Sequence, residues 1–343
     1  MEISMNSINE KGFIQENLKK AREAVNQDTC IICGKNMTGN VINSHTVPQF
    51  ILKNISFEHT YISSYQYELK PIKNTTLGIK KAGVFRYLCG KCDTTLFKTY
   101  ETEKNYEDLS QLQRILIETA FKNHFKKYYD ISSVLHFLEH SINTGEQMIK
   151  ESKNIVENQF RQRQIYEVKK IRSHQLNLLG RITKDTNKIY SEMICDNSDN
   201  FRVIYSEFLN YTVPIAAQGC FPHGRALDVG NDKPQIRRLL NKEGISMVNL
   251  AVFPFKEKTL ILLFCRNDVK QYNKWINQFK KKPEDQKLYT INNLIFTELD
   301  DYYVDKNSEI KIEVPEVEGV QTFENLSERR FKFDNYLSEK YKI

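Results

Sequence analysis

"TCIICGKNMTGNVINSHTVPQFILKNIS", from Thr29 to Ser56, opens on Cys30 and Cys33, two residues apart, and runs on to His45 in "SHTVP". A second pair of the same spacing, Cys89 and Cys92, lies in "RYLCGKCD". Two thiolates spaced in this way leave one tight turn and reach the same tetrahedral ion. Two such pairs therefore supply the four ligands of a structural Zn²⁺ site, with unrelated buried thiols or a redox pair as the competing readings. Gly34 follows the first pair and Gly90 lies inside the second, where a residue without Cβ relieves a crowded backbone. The second pair stands between a strand-like "VFRYL" and a helix expected from Asp93, whose N-terminal dipole favours thiolates. A knuckle on a hairpin followed by a knuckle at a helix start predicts a treble-clef unit.

Outward from this stretch, the chain of 343 residues is long enough for two or three domains and carries a formal charge of +7. That charge permits nucleic-acid binding and equally describes a solvated, mildly basic surface. No stretch approaches the roughly 20 apolar residues that cross a bilayer, so no membrane partner is expected. The first residues lack the basic and apolar regions of a signal peptide. Seven cysteines without disulfide-like regularity point to a reducing cytoplasm.

The pattern predicts an α+β protein. Residues 1–27 read as an N-terminal helix, with Phe13, Ile14, Leu18 and Ala21 near one face. Residues 28–106 are the zinc unit, with short strands after Phe57 broken by Pro71, Gly78 and Gly83. Residues 107–195 carry apolar spacing of helical period without proline. Residues 196–343 form a mixed α/β domain: strand-like "FRVIYSEFLNYTVPIAAQG", a hairpin turning near Lys256–Lys258, a helix in "DVKQYNKWINQFKKK", and "YTINNLIFTELDDYYV" as helix or strand. A closing helix is expected in "SERRFKFDNYLSEKY".

The order of Cys30, Cys33, His45, Pro48, Leu88, Cys89 and Cys92 resembles the zinc-containing HNH nucleases, whose ββα-metal core is a treble clef. "SHTVPQFILKNI" is also similar to a bacterial group carrying "SHxxPxFxLK", in which a divergent HNH-like unit precedes a helical and α/β body. The resemblance covers about residues 28–103. It implies that His45 is the general base taking a proton from the attacking water, and that a hard cation, Mg²⁺ or Mn²⁺, stabilises charge on the phosphate. The family has an acid or His before this His and a middle Asn. Here Ser44 stands in the first place and the second is missing from "KKAGVFRYLC". Asp93 occupies the place after the second pair where Asn or His is common. It reads either as a helix N-cap or as a cation ligand. Glu101 would share its helix face two turns on, and strand alternation puts Asn43 on the face of His45.

The implied function is metal-dependent hydrolysis of DNA or RNA, and the wider use of such units suggests an antiviral effector. A protein partner or a second copy would engage the helical and α/β parts. The alternative is a non-catalytic scaffold in which the zinc unit is purely structural and His45 braces a loop. Three further features carry two readings each. Cys220, His223 and Asp228 read as a thiol site or a loop lining a pocket. The basic run 160–175 reads as a phosphate track or a solvated helix face. His136 and His140 read as surface residues rather than metal ligands. Cys195, Cys220 and Cys265 read as small buried side chains.

Overall fold

In the computed structural model, residues 17, 19–38, 42–56, 60–65, 75–195, 200–222, 247–299, 301–305, 308, 312–313 and 332–343 are described. The protein is α+β, and its contacts divide it into two compact units, each threaded from separated stretches of chain. The first comprises residues 1–44, 85–93 and 124–191; the second comprises 45–84, 94–123 and 192–343.

The second unit is built on a seven-stranded sheet. Its strands are β2 (Thr60–Tyr65), β3 (Thr75–Gly78), β5 (Phe201–Leu209), β6 (Ile215–Pro222), β7 (Met247–Pro254), β8 (Thr259–Arg266) and β9 (Asp301–Val304), in the spatial order β3-β2-β9-β6-β7-β8-β5. All six pairings are antiparallel. β7 and β8 form the expected hairpin, with Pro254 opposite Thr259 and the Phe255 amide closing the turn on Lys258. Every residue of both strands is buried, so both faces of the sheet are covered. On one face, Ile215, Ala217, Val248, Leu250, Val252, Ile261 and Leu263 pack with residues of α5 (Asn273–Lys280) and α6 (Glu284–Glu298). Fully burying each such aliphatic side chain contributes about 1.5–3 kcal/mol, so this cluster is the main support of the unit.

The other face is partly polar and receives α1 (Gln49–Asn54), residues 97–106 and the first three turns of α3 (Leu112–Glu151). Asn54 donates to the Pro254 carbonyl at 3.0 Å, while Tyr100 and Tyr106 set their rings on Phe253. One ion pair and one hydrogen bond to a carboxylate fasten the 97–106 segment to α3. Lys122, its side chain fully buried, meets Glu101 at 2.6 Å and lies 3.9 Å from the centre of the Phe97 ring. Glu118 accepts from the Tyr100 amide at 2.8 Å and from Arg114 at 2.6 Å. A buried charge is tolerated when it is paired and hydrogen-bonded in this way.

In the first unit, α3 beyond Asn123 and α4 (Ile155–Ile194) run antiparallel after a three-residue connection. Each helix has 40 residues, about 60 Å of helix at 1.5 Å per residue. Their seam follows alternating steps of three and four: Leu135, Leu138, Ile142, Gly145 and Ile149 on α3, and Ile165, Val168, Arg172, Gln175, Leu179, Ile182, Thr186 and Ile189 on α4. That is the heptad spacing of a coiled coil. The connection stops α3 and restarts α4 through Asn154, whose side chain accepts from the Glu157 amide in an N-cap arrangement. Glu139–Arg172 and Glu146–Lys169 bridge the helices, and Arg161 and Lys170 pair along α4 with Glu157 and Glu167. Four cations of the basic run thus have carboxylate partners within the hairpin.

Several local expectations change. The closing helix is absent from the described part of 327–341: residues 332–333 are β11 (Lys332–Phe333), paired with β10 (Ile312–Glu313), and a 3₁₀ turn covers Glu339–Tyr341. Asn292 fixes this segment in a non-helical path, donating to the Asp334 carbonyl and accepting from the Tyr336 amide, while Tyr336 and Leu337 enter the core together. "YTINNLIFTELDDYYV" is both helix and strand, ending α6 and forming β9. Residues 19–24 are helical; Phe13, Ile14 and Leu18 lie outside the described residues. Among the described residues no helix is long and apolar enough to cross a membrane.

Candidate metal centre

Cys30, Cys33, Cys89 and Cys92 come together in the first unit, their four Sγ atoms within 4.8 Å of one another. The local backbone explains the convergence. Thr29 bridges Asn36, and the Gly34 amide donates to the Cys30 carbonyl at 2.8 Å, closing the first turn. Gly34 has φ +68°, a conformation that favours glycine. The Ile31 amide then donates to the Tyr87 carbonyl at 3.0 Å, bringing the first turn beside the second pair. Cys89 precedes α2 (Gly90–Leu96), and Cys92 lies in its first turn. Gly90 is an ordinary helical residue, so the relief expected of it is not needed.

The geometry fits a tetrahedral ion. Zn–S bonds near 2.3 Å separate two sulfurs by about 3.8 Å, and Cys33 and Cys89 stand 3.7 Å apart. The four cysteines can therefore hold a metal such as zinc. Burial opposes ionisation of the Cys30 thiol, but the backbone amides of Cys33, Cys89 and Ile32 bring it down to about 6. Cys92 moves the other way, held well above the thiol range by burial and by hydrogen bonds among the neighbouring cysteines. The Tyr190 phenol is also raised, first by burial and then by charge on Cys92 and Cys30.

β1 (Ser44–His45) pairs with β4 (Val84–Phe85) in a two-stranded ladder, and the division between the compact units falls between Ser44 and His45. In the first unit, Ser44 donates to Asp93 Oδ1 at 2.5 Å, with both residues buried. Asp93 is not the N-cap of α2: the helix begins at Gly90, and the Asp93 amide already bonds to the Cys89 carbonyl at 3.0 Å. α2 ends at Leu96, so the helix face expected to join Asp93 to Glu101 does not exist. Glu101 belongs to the second unit and pairs with Lys122. Asn43 accepts from Arg86 at 3.0 Å.

In the second unit, His45 is 7% exposed, with Nε2 2.9 Å from the Ile79 carbonyl. A carbonyl only accepts, so Nε2 carries the proton and the ring's basic lone pair is on Nδ1. The Gln49 amide nitrogen stands 3.4 Å from both ring nitrogens. Thr46 is gripped beside it: its amide and hydroxyl both donate to the Gly83 carbonyl, at 2.9 and 2.8 Å, and its own carbonyl accepts from Tyr100.

Sequence reasoning left Ser44 without a role. Its signal was the exchange of residue types, Ser where an acid is usual and Asp where Asn or His is usual. Cys220 and Cys265 are buried as expected, whereas Cys195 is exposed. His223 and Asp228 lie outside the described residues. No protein-family model, curated protein or solved structure matches the chain.

Proposed function

We propose that the chain is a metal-dependent nuclease of divergent HNH type, acting on DNA or RNA. Cys30, Cys33, Cys89 and Cys92 would hold a structural Zn²⁺. The observation that carries the reading is the Ser44–Asp93 hydrogen bond: it ties a buried carboxylate to the residue immediately preceding His45 in the chain. The acid usual before the His is then replaced by one supplied from α2, with Ser44 as its tether. His45 Nδ1 would accept the proton of the attacking water, with Nε2 held by the Ile79 carbonyl. Asp93 would help hold Mg²⁺ or Mn²⁺, which when bound supplies positive charge to the scissile phosphate. An antiviral role, with a protein partner or a second copy engaging the remainder of the chain, is the setting the resemblance suggests.

The scaffold reading has its own support. His45 is nearly buried, and Ser44 and Asp93 satisfy one another, as in a braced structural loop. Incubation of the full chain with plasmid, linear and single-stranded DNA and with RNA, in Mg²⁺, Mn²⁺ or chelator, separates the two. Metal-dependent cleavage abolished in His45→Ala and Asp93→Ala is expected. Absence of cleavage from zinc-loaded, folded protein, or equal cleavage by the variants, favours the scaffold.

A further inference from the structure

We infer that Tyr100 is the positioning residue for His45, and that the seven-stranded sheet acts through it to hold the candidate base in place. The kinetic part of this inference rests on the nuclease reading; the structural part does not.

The Tyr100 ring is fully buried, and its hydroxyl reaches both the Thr46 carbonyl and Gln218 Oε1. Gln218 and Asn249 project from the central strands β6 and β7, on the face opposite Ile215, Ala217 and Val248. Gln218 Nε2 donates to Asn123 Oδ1 at 2.8 Å, and Asn123 Nδ2 donates to the Gly219 carbonyl at 3.1 Å and to Asn249 Oδ1 at 3.0 Å. The polarity of this chain is determined at one end. The Gly219 carbonyl can only accept, so the amide of Asn123 faces it with nitrogen and presents oxygen to Gln218. Gln218 must then present nitrogen to Asn123 and oxygen to Tyr100. The single tyrosine proton is thereby shared between two acceptors, Gln218 Oε1 and the carbonyl of Thr46, one residue after His45.

Gln218, Asn123 and Asn249 are each no more than 2% exposed. A buried amide chain of this kind is tolerated only when each member is paired, and fully paired it is rigid. With the Thr46 amide and hydroxyl already on Gly83, the Tyr100 bond completes the restraint of all three polar groups of Thr46. The backbone at His45 can drift little while this network stands. Its function is geometric: a base misplaced by about 1 Å can lose as much as a hundredfold in rate.

Tyr100→Phe removes the hydroxyl and keeps the ring. Tyr211→Phe serves as control, deleting a hydroxyl that donates to the Leu337 carbonyl away from Thr46. Imidazole nitrogen and carbon NMR signals of the full chain report the His45 tautomer without reference to activity. Tyr100→Phe is expected to blur the Nε2–H signature and to lower kcat about ten- to a hundredfold with KM and zinc content little changed, while the buried acceptors it leaves without their donor lower the melting temperature of a still folded protein. Tyr211→Phe should match wild type. Should Tyr100→Phe fail to fold, Thr46→Val, which frees another anchor of the same residue, should give the same signature. Wild-type imidazole signals and kcat in the folded variant overturn the inference. If wild-type protein cleaves nothing, or His45→Ala cleaves equally well, the nuclease reading fails and the imidazole signals alone decide the positioning role.

Discussion

Gly83 shows how little freedom surrounds His45. Its φ is +59°, and a Cβ built there would lie 2.1 Å from the Tyr303 hydroxyl oxygen, far inside contact distance. Its carbonyl takes both bonds from Thr46. Gly83→Ala is therefore expected to destabilise the protein by about 1–3 kcal/mol, read as a lower urea midpoint. The cysteines give a second prediction at this scale, for metal-stripped protein. The folded value of Cys30, about 6, lies below the free thiol value of about 8.5, so between them the unfolded chain holds a proton the folded one lacks. Stability should rise with pH through that window, and the Cys30 contribution should vanish as pH falls through about 6. Cys92 is raised, so its contribution is present below about 8.5 and is lost above. Urea titrations between about pH 5 and about pH 10 should show a maximum near pH 8.5; a flat profile contradicts the arrangement. The four cysteines were legible because their spacing is a local signal. The Ser44–Asp93 bond was not, since two ordinary residues 49 positions apart leave no local trace.

The α3–α4 hairpin separates two glycines that sequence alone treats alike. Gly145 lies on the seam, where an added Cβ would come within 3.0 Å of two Ile165 carbons. Gly180 has nothing within 4 Å of its Cβ position. Gly180→Ala should thus stabilise by about 0.5–1 kcal/mol through helix propensity and lost chain entropy. Gly145→Leu should destabilise, because the added volume forces the helices apart. Thermal unfolding of the two variants beside wild type tests both signs. Both helices were visible in the sequence because apolar periodicity persists over many turns. α2 was misjudged because seven residues offer two turns of pattern, and its start is set by the Cys89 carbonyl rather than by a capping side chain. The closing segment 327–341 misled for a related reason: its aromatic residues have helical spacing, but Asn292, distant in sequence, fixes their backbone.

Taken whole, the protein does not follow chain order. β2 and β3 arise between the two cysteine pairs, yet β2 pairs with β9, matching Ser63 with Tyr303. Nonlocal pairing leaves no mark in either strand's own sequence, so the expected zinc unit of 28–106 omitted its dependence on the distant sheet. A fragment comprising 28–106 is expected to lack cooperative unfolding, while the full chain retains it; circular dichroism during heating of both tests this. The same threading bears on synthesis. All four cysteines, and the β2–β3 pair, have been made by residue 92, but the second edge of β2 must wait for β9, which begins at Asp301. At about 5–20 residues per second, that wait is roughly 10–45 s. Throughout it the nascent chain displays an unpaired strand edge on the ribosome, and growing cells would need a chaperone, or simple dilution, to keep neighbouring chains from claiming it.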